Sequence, residues 1–131
     1  MTILDTHVLV WLVSNPEKIS EKARKLIDQE VKKSELLVSS ISVWEIYMLV
    51  KKGRLKLSLD VDTWFEKIEQ LSFLQFIPID NKIAAKSVML PEPLHSDPAD
   101  RMIAATAREY AAVLITSDKR LLTYPSVQSI W

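Results

Sequence analysis

Apolar residues follow two rhythms along the chain. Short, mostly apolar runs recur at Thr2–Leu4, Leu36–Ser39, Gln75–Pro78, Val113–Thr116 and Val127–Ile130. Their length is that of a strand, and unbroken apolarity, rather than alternation, is expected of strands covered on both faces. Between them, longer stretches repeat apolar positions every three or four residues, the period of an amphipathic helix. These stretches predict helices over Thr6–Val13, Glu21–Lys33, Ile41–Lys52, Val61–Leu71, Lys82–Leu90 and Pro98–Tyr110, with a short one over Lys119–Leu122. Ser20, Asp60 and Asp97 stand where N-caps belong, and Pro98 takes a first helical position at which a missing N–H costs nothing. Gly53 and Pro91 mark two helix ends. The expected fold is therefore α/β: a small doubly wound parallel sheet of about five strands, flanked by helices and joined by right-handed crossovers.

No linker, repeat or low-complexity tract interrupts this pattern, since the chain has one glycine and its six prolines are scattered. With 131 residues, 48% of them hydrophobic, the span 1–131 reads as a single domain with its own core. Lysine and arginine number 17, as do aspartate and glutamate, so no global field draws the chain to nucleic acid or anionic lipid. Any nucleic-acid contact must come from a local patch. The absence of cysteine removes disulfides, thiolate zinc sites and cysteine nucleophiles, and suits a cytoplasmic location. The longest apolar run, Val8–Val13, is far too short to cross a bilayer, and Asp5 and His7 replace the basic start of a signal peptide. No membrane contact is expected.

Charge matters most at the strand ends. In I-L-D-T-H, Asp5 joins two apolar runs, where burial of a carboxylate costs several kcal/mol unless something compensates it. Sites in doubly wound sheets form outside the carboxyl ends of the strands, where strand order reverses. Asp5 ends the first strand, and Asp118, in L-I-T-S-D-K-R, follows the fourth. Glu45 falls early in the helix after the second strand, and Asp100 in the first turn of the helix that begins at Pro98. Four acids thus converge on one rim, with Asp97 a turn earlier as a fifth. Unit charges about 4 Å apart repel by roughly 4 kcal/mol at an effective dielectric of 20, so protons or a cation must relieve the cluster. An all-oxygen set favours a hard divalent ion, Mg²⁺ or Mn²⁺, which activates water for attack on phosphorus.

In this order, L-D-T-H-V-L-V-W-L, S-V-W-E, H-S-D-P-A-D-R-M-I-A-A-T-A and L-I-T-S-D-K-R-L resemble the signature blocks of PIN-domain ribonucleases, in particular VapC-type toxins. The resemblance runs over essentially the whole chain. It implies that Asp5, Glu45, Asp100 and Asp118 are the metal-binding and catalytic acids. It also implies Mg²⁺ or Mn²⁺ dependence, an RNA substrate, a homodimer, and inhibition by a cognate antitoxin seated in a groove.

Each candidate has a plainer reading beside the functional one. Asp5 also suits a strand end or helix cap, as does Thr6; Ser42 to Glu45 spells a capping box unless the helix starts at Ser39 or Ser40. Asp100 suits a helix dipole, Asp118 a cap of the short helix, and Asp97 a cap before Pro98. Thr6, Thr116 and Ser117 suit either support of the acids or local backbone satisfaction. Arg101, Lys119, Arg120 and His95 are candidates for contact with substrate, Arg101 equally for pairing with a neighbouring acid. Lys51, Lys52, Arg54 and Lys56 either track a nucleic-acid backbone or complement a helix end. Trp11, Trp44, Tyr47 and Trp64 read as core or protein interface. A haloacid-dehalogenase-type phosphatase needs a second Asp where His7 stands, and phosphate-cradling glycine loops need more glycines than one. The remaining rival is a catalytically silent PIN-like module that binds RNA or acts as a scaffold.

Overall fold

A computed structural model describes residues 1–131. Five strands form one sheet: β1 (Thr2–Leu4), β2 (Leu36–Ser39), β3 (Leu74–Ile77), β4 (Val113–Ile115) and β5 (Ser129–Ile130). All four pairings are parallel, and the order is β3-β2-β1-β4-β5. The chain winds outward from β1 in one direction through β2 and β3, then returns to its other side with β4 and β5. The order reverses between β1 and β4, the two strands followed by Asp5 and Asp118.

Seven helices cover the sheet: α1 (Thr6–Ser14), α2 (Glu21–Lys33), α3 (Ile41–Lys51), α4 (Val61–Glu69), α5 (Asn81–Val88), α6 (Pro98–Glu109) and α7 (Lys119–Leu122). A short 3-10 turn at Pro16–Lys18, absent from the sequence reading, links α1 to α2. Side chains alternate across each strand with period two, so neighbours enter different cores. Leu4, Leu36, Val38 and Ile115 join the core shared with α1, α2, α3 and α4; Ile3, Leu37 and Leu114 join that of α5 and α6. Each fully buried side chain of this kind contributes roughly 1.5–3 kcal/mol.

The expected caps Ser20, Asp60 and Asp97 each accept a hydrogen bond from the backbone N–H three residues on. Gly53 follows α3 with φ of 71°, the left-handed conformation expected just past a helix. Several boundaries differ from expectation by one or two residues. Helix α5 starts one residue early because Asp80 caps it through the Ile83 N–H, and α4 stops at Glu69 rather than Leu71. Strand β5 is only two residues long, because it lies at the edge and pairs with β4 alone, while Val127 is buried without joining the ladder.

Candidate active site

At the β1–β4 switch point a cleft of about 140 Å³ is lined by Asp5, Glu45, Asp97, Asp100 and Asp118, with His7, Ser117 and Arg120. Three of those acids cap helices that start at the rim: Asp5 caps α1, Asp97 caps α6 and Asp118 caps α7. Cap and site are therefore compatible roles, since a carboxylate has two oxygens. Asp5 Oδ1 accepts from the Thr6 N–H at 2.8 Å, while its Oδ2 accepts from the Thr116 hydroxyl at 2.6 Å. The same hydroxyl oxygen accepts from the Asp118 N–H at 3.0 Å, so Thr116 ties the ends of β1 and β4 together. Helix N-termini aimed at the cleft offset part of its negative charge.

Glu45 reaches the cleft because α3 starts at Ile41 with Ser40 at its cap position. That overturns the Ser42–Glu45 capping box. The Ser42 hydroxyl instead bonds the Thr6 hydroxyl at 2.8 Å, joining α1 to α3. Asp100, 8% exposed, has its N–H held by Asp97 Oδ1 at 3.0 Å and its Oδ2 approached by His95 Nε2 at 2.7 Å. One ligand atom each from His95, Asp100 and Asp118 lies within 4.8 Å of the others, which brings a nitrogen to a set expected to be all oxygen.

The cleft disfavours its own charges. Burial pushes Asp5 above the ordinary carboxylate range despite the bonds from Thr116 and Thr6. Burial likewise raises Glu45, opposed by the Thr6 hydroxyl and reinforced by the charge of Asp5. Asp100 is pushed up to about 6, by burial first, against the hydrogen bond from His95, and then by the charges of Asp5 and Asp97. Asp118 behaves differently: partial burial alone would raise it, but the side-chain and backbone bonds and the charge of Arg120 together hold it below the ordinary value. This donor set fits a hard divalent cation, because five carboxylates face one another with a single arginine among them.

Not every candidate is brought in. Arg101 points away from the cleft: Nε donates to the Ser87 carbonyl at 2.9 Å, Nη1 to Leu94 and His95 carbonyls at 3.0 and 3.3 Å, and Nη2 to the Val88 carbonyl and Glu92 at 3.1 and 3.3 Å. All five donors are engaged, one by the carboxylate of Glu92, so of the two roles open to Arg101 it takes the pairing with a nearby acid, as part of a clamp on the end of α5 and the loop before α6. Lys119 is exposed and outside the cleft. His7 was missed as a lining residue, although its place two residues after Asp5, in the first turn of a helix at a strand end, was the available signal.

Beside the cleft, Trp44, Tyr47, Met48, Val50, Lys51 and Val61 line a mainly apolar groove of about 430 Å³ between α3 and α4. Trp44 is 55% exposed, whereas Trp64 is buried in the core as expected.

Comparison with known proteins agrees with this geometry. Residues 2–126 match the model of the PIN domain. Ribonuclease VapC22 of Mycobacterium tuberculosis is 33% identical over 131 residues, covering 98% of this chain and 97% of that protein. Among solved structures, VapBC2 from Rickettsia felis bound to a DNA fragment from its promoter matches with a TM-score of 0.71 at 20% identity, over 98% of this chain and 96% of that one. FitAcB from Neisseria gonorrhoeae matches with a TM-score of 0.67 at 22% identity, over 100% and 97%. The sheet order, the acidic switch point and these matches together make the chain a member of the PIN-domain family, related to the VapC ribonucleases.

Proposed function

We propose that this protein is a Mg²⁺- or Mn²⁺-dependent endoribonuclease, hydrolysing RNA phosphodiester bonds, and the toxin of a toxin–antitoxin pair. The observation that carries the reading is the gathering of Asp5, Glu45, Asp100 and Asp118 in one cleft that penalises their charges. Those four would hold the ion, with His95 against Asp100 and Thr116 against Asp5 fixing the carboxylates. When bound, the ion supplies an activated water and neutralises charge on the phosphate. The remaining work falls to the protein. Thr116 and Thr6 hold Asp5 and the start of α3 in register, Asp97 anchors the first turn of α6, and Arg120 presents a cation at the mouth for the incoming phosphate.

The apolar groove between α3 and α4 suits an amphipathic antitoxin segment, a reading supported by the toxin–antitoxin complexes among the structural neighbours. Homodimerisation belongs to the same reading, and exposed Val88 and Met89 at the end of α5 supply apolar surface for it. No helix is long and apolar enough to cross a membrane, and the reading places the protein in the cytoplasm.

The test is cleavage of a structured-RNA pool by the antitoxin-free protein with Mg²⁺, with Mn²⁺ and with EDTA, beside Asp100→Asn. The expected result is cutting that requires the ion and falls by about 10³-fold or more in the variant, the size of a lost charge-stabilising ligand. Equal RNA binding by both proteins without cutting would favour the silent module.

A further inference from the structure

Arg120 holds the place of a cation in the cleft. Its Nη2 lies 3.1 Å from Asp118 Oδ2 and 3.6 Å from Asp100 Oδ2, its Nε lies 3.4 Å from Asp118 Oδ1, and its backbone N–H donates to that same Oδ1 at 2.8 Å. The guanidinium thus spans carboxylates contributed by α6 and by the α7 cap, and it is the only lysine or arginine lining the cleft. Asp100 Oδ2 is claimed twice over, by His95 Nε2 at 2.7 Å and by Arg120.

A divalent ion bound at roughly 2.0–2.6 Å from these carboxylates repels a guanidinium held 3.1 and 3.6 Å from the same two groups and supplies the charge that it now provides. Of the two groups on Asp100 Oδ2, Arg120 is the one placed to yield. His95 is enclosed, with its side chain 17% exposed, whereas the Arg120 side chain is 61% exposed and free to swing toward solvent. Its backbone bond to Asp118 needs no change when the side chain leaves, so α7 keeps its cap during the exchange.

From this we infer that Arg120 exchanges with the metal ion: it neutralises Asp100 and Asp118 while the cleft is metal-free, is displaced from them when the ion enters, and then contacts an RNA phosphate at the cleft mouth. The inference rests on the metal-dependent nuclease reading. It gives one residue two opposite effects, weakening metal binding by competition and strengthening substrate binding by charge. An ordinary surface ion pair has neither effect, and a plain substrate contact has only the second.

The experiment is titration of the purified protein with Mn²⁺ alone, read by isothermal calorimetry and by thermal shift, followed by single-turnover RNA cleavage at saturating Mn²⁺. Wild type, Arg120→Gln, Arg120→Lys and Lys119→Gln are compared. Arg120→Gln is expected to bind Mn²⁺ three- to tenfold more tightly while cleaving at least tenfold more slowly. Arg120→Lys restores both properties in part, because it keeps the charge without the planar fork. Lys119→Gln removes the same charge one residue away, outside the cleft, and shifts Mn²⁺ affinity less than twofold. Unchanged or weaker Mn²⁺ binding by Arg120→Gln would overturn the exchange, whatever its cleavage rate, and leave the nuclease reading standing. An equal gain in Lys119→Gln would overturn it too, by reducing the effect to net charge. Wild type that neither binds Mn²⁺ nor cleaves with it would overturn both.

Discussion

Arg101 and Arg120 flank the same acid, and their surroundings are opposites. The Arg101 side chain is 13% exposed, and each of its five donors meets a carbonyl of Ser87, Val88, Leu94 or His95, or the carboxylate of Glu92. Nothing is left over for a ligand. In the cleft the balance is reversed, with carboxylates from five residues crowding one exposed guanidinium. A polar network whose donors and acceptors match is rigid and silent; one with surplus acceptors of a single sign is unstable alone and ready for a cation. The matched network serves the mismatched one, since Arg101 holds the carbonyl of His95, whose ring meets Asp100. The Tyr124 hydroxyl pins the same loop through the Pro91 carbonyl at 2.6 Å.

The matched side breaks with the larger effect. Arg101→Ala leaves the partly buried carbonyls of Ser87, Leu94 and His95 without these donors and is expected to cost about 2–4 kcal/mol of stability by denaturant unfolding. Arg101→Lys recovers little of this, because three donors on a point charge cannot reproduce five in a fork. A loss below about 0.5 kcal/mol for the alanine variant would put Arg101 among ordinary surface residues.

The mismatched side responds to pH in the opposite sense from a stabilising ion pair. Asp100 titrates near 6 in the folded protein against an ordinary 3.8, and Asp5 is raised as well, so between these values the folded state binds more protons than the unfolded one. Stability of the metal-free protein therefore falls as pH rises from about 4 through about 6 on account of Asp100, and the raised Asp5 and Glu45 add to the fall. Asp60, Glu92 and Glu109 are lowered by their hydrogen bonds, and their contribution is lost only as pH falls below the ordinary carboxylate range. Melting in EDTA at pH 5.0 and 7.5 isolates the site, with the lower pH favoured by about 1–2 kcal/mol. In Asp100→Asn most of that difference disappears.

Much of this was legible in the chain. The parallel sheet could be read because strands buried on both faces are written as apolar runs, and Ile3 beside Leu4 shows that requirement directly, each entering a different core. The acids were legible because strand ends and first helical turns are where such sheets open. The network of Arg101 was not, and His95, named from sequence as a candidate for substrate, could not be matched there to Asp100, which it meets in the fold. An arginine next to Asp100 in sequence suggests a site, yet successive helical residues face different ways, and its targets are carbonyls at the end of α5 and in the following loop that only the folded chain assembles. The ends of α4 and β5 were obscured for a similar reason: local propensity continues past the point where pairing and packing stop.

The measurement that tests the central claim most directly is thermal melting of wild type and Asp100→Asn at pH 7.5, each in EDTA and with Mn²⁺. A cleft that penalises its own charges until a cation arrives predicts that the variant melts higher in EDTA, that Mn²⁺ raises wild type by several degrees, and that it raises the variant far less. Wild type melting above the variant in EDTA, or equal gains for both with Mn²⁺, would contradict it.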